Sequence, residues 1–140
     1  MAPDGHGKEG KVKVEDIQNA FRPSTILVTI MHANNEIGSI QPIEEIAALC
    51  HQQPRPILFH TDASQTAGKI PIDVQASGID LLNLSAHKFY GPKGIGASFI
   101  RKGINIGPYV FGAKQERGLR GPLSLIHSPT SRSSLPISSE

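Results

Sequence analysis

Three short polar clusters contain the side chains of this 140-residue chain that are best suited to chemistry. They are Asn34–Glu36, Asp62–Gln65 and Ser85–Lys88, and each follows an apolar segment of the sequence. In open α/β sheets, ligands bind outside the carboxyl ends of the strands. If the apolar segments are strands of one sheet, the three clusters converge on one pocket.

Lys88 is the strongest candidate for covalent chemistry. It follows an apolar segment, stands beside His87 and precedes an aromatic pair and a Gly-rich turn. This placement predicts partial desolvation, which lowers the pKa of an amine and frees it to form a Schiff base. Asp62 could hold a protonated ring nitrogen. A Schiff-base lysine and an aspartate that faces a pyridinium nitrogen are the two protein groups that pyridoxal phosphate requires.

Other polar residues suit the remaining atoms of this cofactor. Ser85 and His87 could donate hydrogen bonds to its phosphate, and Gln65 or Asn35 could bond its ring oxygen. Simpler roles compete with these. Asp62 could cap a following helix, and His87 could be a structural histidine. The case for a site depends on the convergence of the clusters rather than on any one residue.

Cysteine and metal chemistry are not indicated. Cys50 is the one cysteine and lies on the apolar face of a predicted helix, which favours core packing over a nucleophilic role. A single cysteine also excludes an internal disulfide and a multi-cysteine zinc site. The six histidines show no HExxH or comparable spacing. The glycines of segment 91–96 could shape only a tight turn, since they lack the order of a P-loop.

The elements that must position these residues follow from hydrophobic periodicity. Apolar positions from Val12 to Phe21 predict a short helix that ends before Pro23. A second helix is predicted to begin at Pro42 and to end before Pro54, with its apolar face formed by Ile43, Ile46, Ala47 and Cys50.

Strands are predicted in the intervening segments. The β-branched run at 25–31 indicates a strand buried on both faces, and residues 32–41 a loop at its end. Further strands are predicted at 57–60, 79–85 and 97–101, with a loop at 61–69. Alternating strands and helices predict an α/β fold with a mainly parallel sheet.

Composition narrows the class of protein. There are 14 Lys and Arg against 12 Asp and Glu, and charged residues make up 19% of the chain. This balance excludes a disordered polyelectrolyte and does not indicate a nucleic-acid-binding surface. No apolar run is long enough for a membrane helix, and the first residues do not resemble a secretory signal. These features favour an intracellular protein that does not bind membranes.

Four motifs together resemble the central stretch of the cysteine desulfurases, a group within the class V aminotransferase family of fold-type I pyridoxal phosphate enzymes. The motifs are HANNEIGSIQPI, HTDASQTAGKIPID, LSAHKFYGPKGIGASFIRKG and QERGLR, in this order and within about residues 25–120. Selenocysteine lyases share much of the same stretch. The resemblance implies an α/β fold that forms part of the large, mainly parallel-sheet cofactor domain.

The resemblance also implies roles for individual residues. Lys88 matches the lysine that binds the cofactor aldehyde, and Asp62 matches the partner of the pyridine nitrogen. Gln65 and Asn35 match residues near the phenolic oxygen. Ser85 and His87 match phosphate-binding positions. The implied reaction converts L-cysteine to L-alanine and leaves a persulfide on the enzyme, for iron–sulfur cluster or thio-cofactor assembly.

Departures from the family pattern predict a central fragment. The family's phosphate-binding Gly-Thr loop and ring-stacking histidine are expected upstream of this chain, and its nucleophilic cysteine downstream. We therefore expect a flexible end at 1–10, a partial cofactor domain at 11–120 and a disordered, unrelated tail at 121–140 that is rich in Ser and Pro. We expect no desulfurase turnover from this chain alone.

Several interpretations stay open at this point. The parent enzyme could be a selenocysteine lyase or another class V enzyme, or the chain could be a non-catalytic product that pairs with a full-length subunit. The resemblance implies a homodimeric enzyme, L-cysteine as substrate and a sulfur-accepting or scaffold protein as partner. It implies a cytoplasmic location, or a mitochondrial one if an N-terminal segment is missing.

Overall fold

The structure, a computed structural model, describes residues 9–107. The predictions for the QERGLR motif and the tail at 121–140, and most of that for the end at 1–10, lie outside these residues. Residues 9–101 belong to one compact unit, and residues 102–107 belong to a second. The elements are helices α1 (Val14–Ala20) and α2 (Ile43–His51), strands β1 (Leu27–Met31), β2 (Leu58–Asp62), β3 (Leu81–Ser85) and β4 (Gly96–Ile100), and a single 3₁₀ turn at Ala86–Lys88.

The four strands form one sheet in the order β1-β2-β3-β4. The first three strands are parallel, and β4 runs antiparallel to β3. In the register of the sheet, Met31 pairs with Asp62 and Asp62 pairs with Asn83. The carboxyl ends of β1, β2 and β3 therefore lie side by side at one edge. The predicted α/β fold with a mainly parallel sheet is confirmed.

One face of the sheet is covered by the two helices. Alternate residues of a strand point to opposite faces. On the covered face, Phe59 and Thr61 of β2 are fully buried, and Leu82 of β3 is buried. The apolar stripe of α2 packs on this face, and its predicted members Ile43, Ile46, Ala47 and Cys50 are all buried. The α2 prediction is confirmed, with Pro42 as the N-cap and Glu44 and Glu45 in the favourable first turn.

The opposite face of the sheet is called here the open face. It carries the polar residues Thr29 of β1, His60 and Asp62 of β2, and Asn83 and Ser85 of β3, and its remaining positions on these strands are Leu27, Met31, Leu58 and Leu81. The prediction that β1 is buried on both faces is wrong. Leu27 is 43% exposed and Thr29 is also exposed, because the described helices cover only one side of the sheet.

The predicted end of β2 also shifts. Thr61 and Asp62 were expected in a loop, yet they complete β2, because their backbone groups continue the ladder with β1 and β3. The segment that follows is a series of turns, in which Thr66 and Ala67 both donate to the Ala63 carbonyl. Asp62 does not cap a regular helix.

A buried charge cluster connects the helical layer to the sheet. Asp80 is 4% exposed and accepts hydrogen bonds from His51 Nε2 of α2 at 2.8 Å and from the Phe59 amide at 2.9 Å. Arg101 Nε lies 3.4 Å from the other oxygen of the same carboxylate. The remaining Arg101 donors bond the Val74 carbonyl and the Gln75 side chain. A buried carboxylate needs such partners, and these fix the start of β3.

Candidate active site

The candidate site lies at the carboxyl edge of the open face. Asp62 is the last residue of β2, and Ser85 is the last residue of the neighbouring strand β3. Ser85 lies two residues beyond Asn83, the register partner of Asp62, so both side chains belong to the same face. His87 and Lys88 follow within the 3₁₀ turn. The structure therefore places four of the six predicted site residues at the same edge of the sheet.

Asp62 is half-buried and is held as a carboxylate. Its Oδ1 accepts a hydrogen bond from the Ser64 amide at 2.8 Å. Burial by itself raises the pKa of this carboxyl, but hydrogen bonds from Ser64 and Asn83 oppose it, and the pKa is lowered. An ionised carboxylate at a sheet edge can pair with a cationic N–H group.

The turn that carries Lys88 is compact. The Ala86 amide donates to the Ile95 carbonyl at 2.9 Å, and the amides of Phe89 and Gly91 both donate to the Ala86 carbonyl. A Cβ atom at Gly91 would lie 2.7 Å from the Ala86 Cβ, so this position accepts only glycine without rearrangement. The interpretation that glycines shape a tight turn here is confirmed for Gly91.

This turn buries Ala86 and leaves both His87 and Lys88 exposed. The predicted desolvation of Lys88 is therefore wrong in the described residues. Ser85 Oγ lies 3.0 Å from His87 Nδ1, which fixes a hydroxyl and an imidazole next to each other beside the lysine. Such a pair provides hydrogen-bond donors for an anion.

The two other predicted residues are placed less closely. Gln65 is half-buried in the turns after β2, three residues beyond Asp62. Asn35 is exposed in the loop 32–41, which is closed by a bridge between Ala33 and Ile40. The neighbouring Asn34 is the residue that shapes this loop, because its Oδ1 accepts from the amides of Glu36 and Ile37. Contacts of Asn35 and Gln65 with a cofactor remain predictions.

Sequence reasoning missed three residues that adjoin Asp62 on the open face. Thr29 Oγ1 lies 2.6 Å from His60 Nδ1, and His60 Nε2 is hydrogen-bonded to Asn83 Oδ1. Their signal in the sequence is the placement of polar residues at alternate positions of apolar strands. That alternation becomes visible only when the register of the strands is known.

A cofactor with a pyridinium nitrogen, an aldehyde and a phosphate fits these residues. Asp62 provides the ionised carboxylate, Lys88 an accessible amine, and Ser85 with His87 the donors for an anion.

No group of three or more His, Cys, Asp or Glu side chains suited to a metal occurs among residues 9–107. In the same residues no helix is long and apolar enough to cross a membrane.

The mixed, mainly parallel sheet is that of a fold-type I pyridoxal phosphate enzyme. The sequence profile of the family "Aminotransferase class-V" matches residues 5–121. The chain belongs to the class V aminotransferase family.

Curated relatives refine this assignment. The chain is 53% identical over 113 residues to the cysteine desulfurase IscS of Dictyoglomus turgidum. The matched region covers 81% of this chain and 28% of that relative. It is also 53% identical over 113 residues to the mitochondrial cysteine desulfurase of Arthroderma benhamiae, of which it covers 22%. The chain thus spans about a quarter of the length of these relatives.

Solved structures agree with the sequence relatives. A structure of SspA in complex with cysteine superposes with a TM-score of 0.78 at 45% identity and covers 84% of this chain and 34% of that one. A NifS-like protein superposes with a TM-score of 0.76 at 46% identity, over 81% of this chain and 31% of that one. The predicted resemblance to cysteine desulfurases is confirmed.

Proposed function

We propose that this chain forms part of the cofactor domain of a pyridoxal phosphate-dependent cysteine desulfurase. The observation that carries the proposal is the ionised Asp62 carboxylate, which shares one sheet edge with the turn that holds Lys88. The similarity to proteins named cysteine desulfurase supports L-cysteine as the substrate of the whole enzyme.

Each residue at the edge has a defined task in this proposal. Pyridoxal phosphate supplies an aldehyde carbon that amines attack and a ring that withdraws electrons. Lys88 would hold the aldehyde carbon through its amine and would move a proton to or from the substrate carbon. Asp62 would pair with the ring N–H and favour the protonated form of that nitrogen. Ser85 and His87 would donate hydrogen bonds to the phosphate.

The cofactor assignment is tested by covalent trapping. The full chain is incubated with pyridoxal phosphate, reduced with borohydride and digested, and the modified peptide is identified by mass spectrometry. We expect one dominant pyridoxyl label, on Lys88, and its loss in Lys88→Ala. Lys93→Ala removes an exposed lysine of the same loop and serves as the control, because it should leave the label unchanged.

A different labelling pattern would contradict the assignment. Equal modification of Lys88, Lys93 and Lys69 would indicate reaction with any accessible amine. Asp62→Ala should weaken retention of the cofactor during gel filtration before reduction, because the ring nitrogen loses its partner. Retention equal to that of the unchanged chain would exclude the proposed role of Asp62.

We further propose that this chain alone does not release sulfur. Its one cysteine, Cys50, is fully buried on α2, where burial and the nearby Asp80 raise the pKa of the thiol to about 11. The thiolate is the nucleophilic form, so this side chain is poorly suited to receive sulfur. We expect no sulfide from the chain with cofactor and L-cysteine, and slow reaction of Cys50 with aromatic disulfides until denaturant is added. Sulfide release at the rate of a full-length relative would overturn this proposal.

A further inference from the structure

The open face holds a line of hydrogen-bonded side chains, Thr29, His60 and Asn83, that leads to the register partner of Asp62. Thr29 and His60 are register partners on β1 and β2, and Asp62 and Asn83 are register partners on β2 and β3. The four side chains share one face, because His60 and Asp62 are two residues apart on β2 and each is level with its partner on the neighbouring strand. Thr29 Oγ1 contacts His60 Nδ1 at 2.6 Å, and His60 Nε2 contacts Asn83 Oδ1.

Donor and acceptor chemistry gives this line a direction. An ionised carboxylate only accepts hydrogen bonds, so Asn83 must present its Nδ2 donor to Asp62. The Oδ1 of Asn83 is then left for His60 and can only accept. His60 must therefore donate from Nε2, and its Nδ1 accepts from the Thr29 hydroxyl in the neutral ring.

We propose that Thr29, His60 and Asn83 are positioning residues that fix the orientation of the Asp62 carboxylate toward the cofactor ring. The Thr29 hydroxyl selects the Nε2–H tautomer of His60, this tautomer sets the amide orientation of Asn83, and the Asn83 amide donates to Asp62. The role of Asp62 itself rests on the proposed function. The tautomer of His60 does not, since it follows from the hydrogen bonds of this chain alone.

The first measurement therefore needs no cofactor. Long-range ¹⁵N–¹H spectra of the full chain at neutral pH report which nitrogen of each imidazole carries the proton. We expect the Nε2–H tautomer for the neutral ring of His60. Thr29→Val removes the hydroxyl at an exposed position and keeps the shape of the side chain, so the strand is retained. Loss of one hydrogen bond should lower the ratio of Nε2–H to Nδ1–H about fivefold.

Two further variants separate this effect from a general change in the sheet. Thr29→Ser keeps the hydroxyl and should restore the tautomer of the unchanged chain. Thr61→Val removes a hydroxyl from the opposite face of β2 and should leave His60 unaffected. A neutral His60 ring in the Nδ1–H form in the unchanged chain would overturn the proposal. A tautomer ratio that is the same with Val and Thr at position 29 would also overturn it.

The second measurement follows the effect to the cofactor. With ¹⁵N-labelled pyridoxal phosphate bound, the ring nitrogen shift reports its protonation. We expect a protonated nitrogen in the unchanged chain and in Thr29→Ser, and a partly deprotonated one in Asn83→Leu. A ring nitrogen that is equally protonated in Asn83→Leu would contradict the positioning role. If the cofactor does not bind at Lys88, the proposed function is contradicted. The tautomer of His60 is still tested, because that measurement uses the chain without cofactor.

Discussion

Asp62 and Lys88 differ in how far the surrounding residues determine their chemical state. Both follow the end of a strand, and both were expected on chemical grounds to touch one cofactor. Hydrogen bonds from Ser64 and Asn83 lower the pKa of Asp62 and favour its carboxylate form. Lys88 is exposed in the turn after β3, so the described residues give it access but no apolar pocket. The amine therefore depends on what covers the open face when the cofactor is bound.

Thr61 offers a test of buried polar groups at the level of one residue. Its side chain is fully buried, and among residues 9–107 its hydroxyl is the one buried side-chain polar atom without a hydrogen-bond partner. Thr61→Val removes this group and keeps the branched shape. We expect the free energy of unfolding in urea to increase by about 1 kcal/mol, because an unsatisfied buried hydroxyl is lost.

Thr66 is the matched control for this change. It is also buried, but its Oγ1 lies 2.9 Å from His32 Nδ1 and donates to the Ala63 carbonyl at 3.2 Å. Thr66→Val leaves His32 without this partner and should lower the free energy of unfolding by about 1–2 kcal/mol. Equal effects of the two substitutions would show that hydrogen bonding does not determine the stability of these positions.

At the scale of elements, the spacing of apolar residues predicts which face of a helix is buried better than it predicts how a strand is covered. The face of α2 was predicted residue by residue, since Ile43, Ile46 and Cys50 recur at the helical period. Burial of β1 on both faces was predicted wrongly, because an apolar run does not reveal how many layers cover it. Two features could not be predicted without the pairing register of the strands, which no local sequence pattern contains. These are the antiparallel direction of β4 and the contact of His60 with Asn83.

The 3₁₀ turn gives a prediction about the close packing of Gly91 against Ala86. Gly91→Ala would place a methyl group 2.7 Å from the Ala86 Cβ and 3.0 Å from the Ala86 carbonyl oxygen. We expect a destabilisation of about 1–3 kcal/mol, measured by thermal unfolding, and a lower yield of pyridoxyl label on Lys88. Gly94→Ala tests the same loop where no atom lies within 4 Å.

The outcomes of these substitutions separate crowding from backbone strain. Gly94 has a φ of 80°, so its substitution is strained by backbone conformation rather than by a neighbour. Ala86→Gly combined with Gly91→Ala removes one of the clashing methyl groups and should recover part of the lost stability. No recovery in the double variant would show that contact with the Ala86 carbonyl dominates.

At the scale of the whole molecule, acid should destabilise the fold in two steps. Burial lowers the pKa of His32 from 6.5, although Glu44 partly opposes this, so the unfolded chain binds this proton more tightly. The contribution of neutral His32 is present above about pH 6.5 and is lost as the pH falls below it. Asp62 and Asp73 have pKa values below 3.8, so their contributions are lost only at still lower pH.

The first step can be assigned by substitution. His32→Gln should flatten the dependence of unfolding free energy on pH as the pH falls below about 6.5. Urea unfolding at a series of pH values provides the measurement. A stability that increases on acidification through this range in the unchanged chain would reverse the sign derived from His32.

The reversal of direction between β3 and β4 has a consequence for the order in which the site is assembled during folding. The Lys88 turn lies inside a hairpin whose ends, Ser85 and Gly96, are close in sequence, whereas Asp62 reaches Asn83 only across a longer parallel crossover. Short loops close at lower entropic cost than long ones. In pulse-labelled hydrogen exchange, the amides of Ala86 and Gly91 should therefore gain protection before that of Ala63. The lysine turn would then be formed first and the aspartate brought to it.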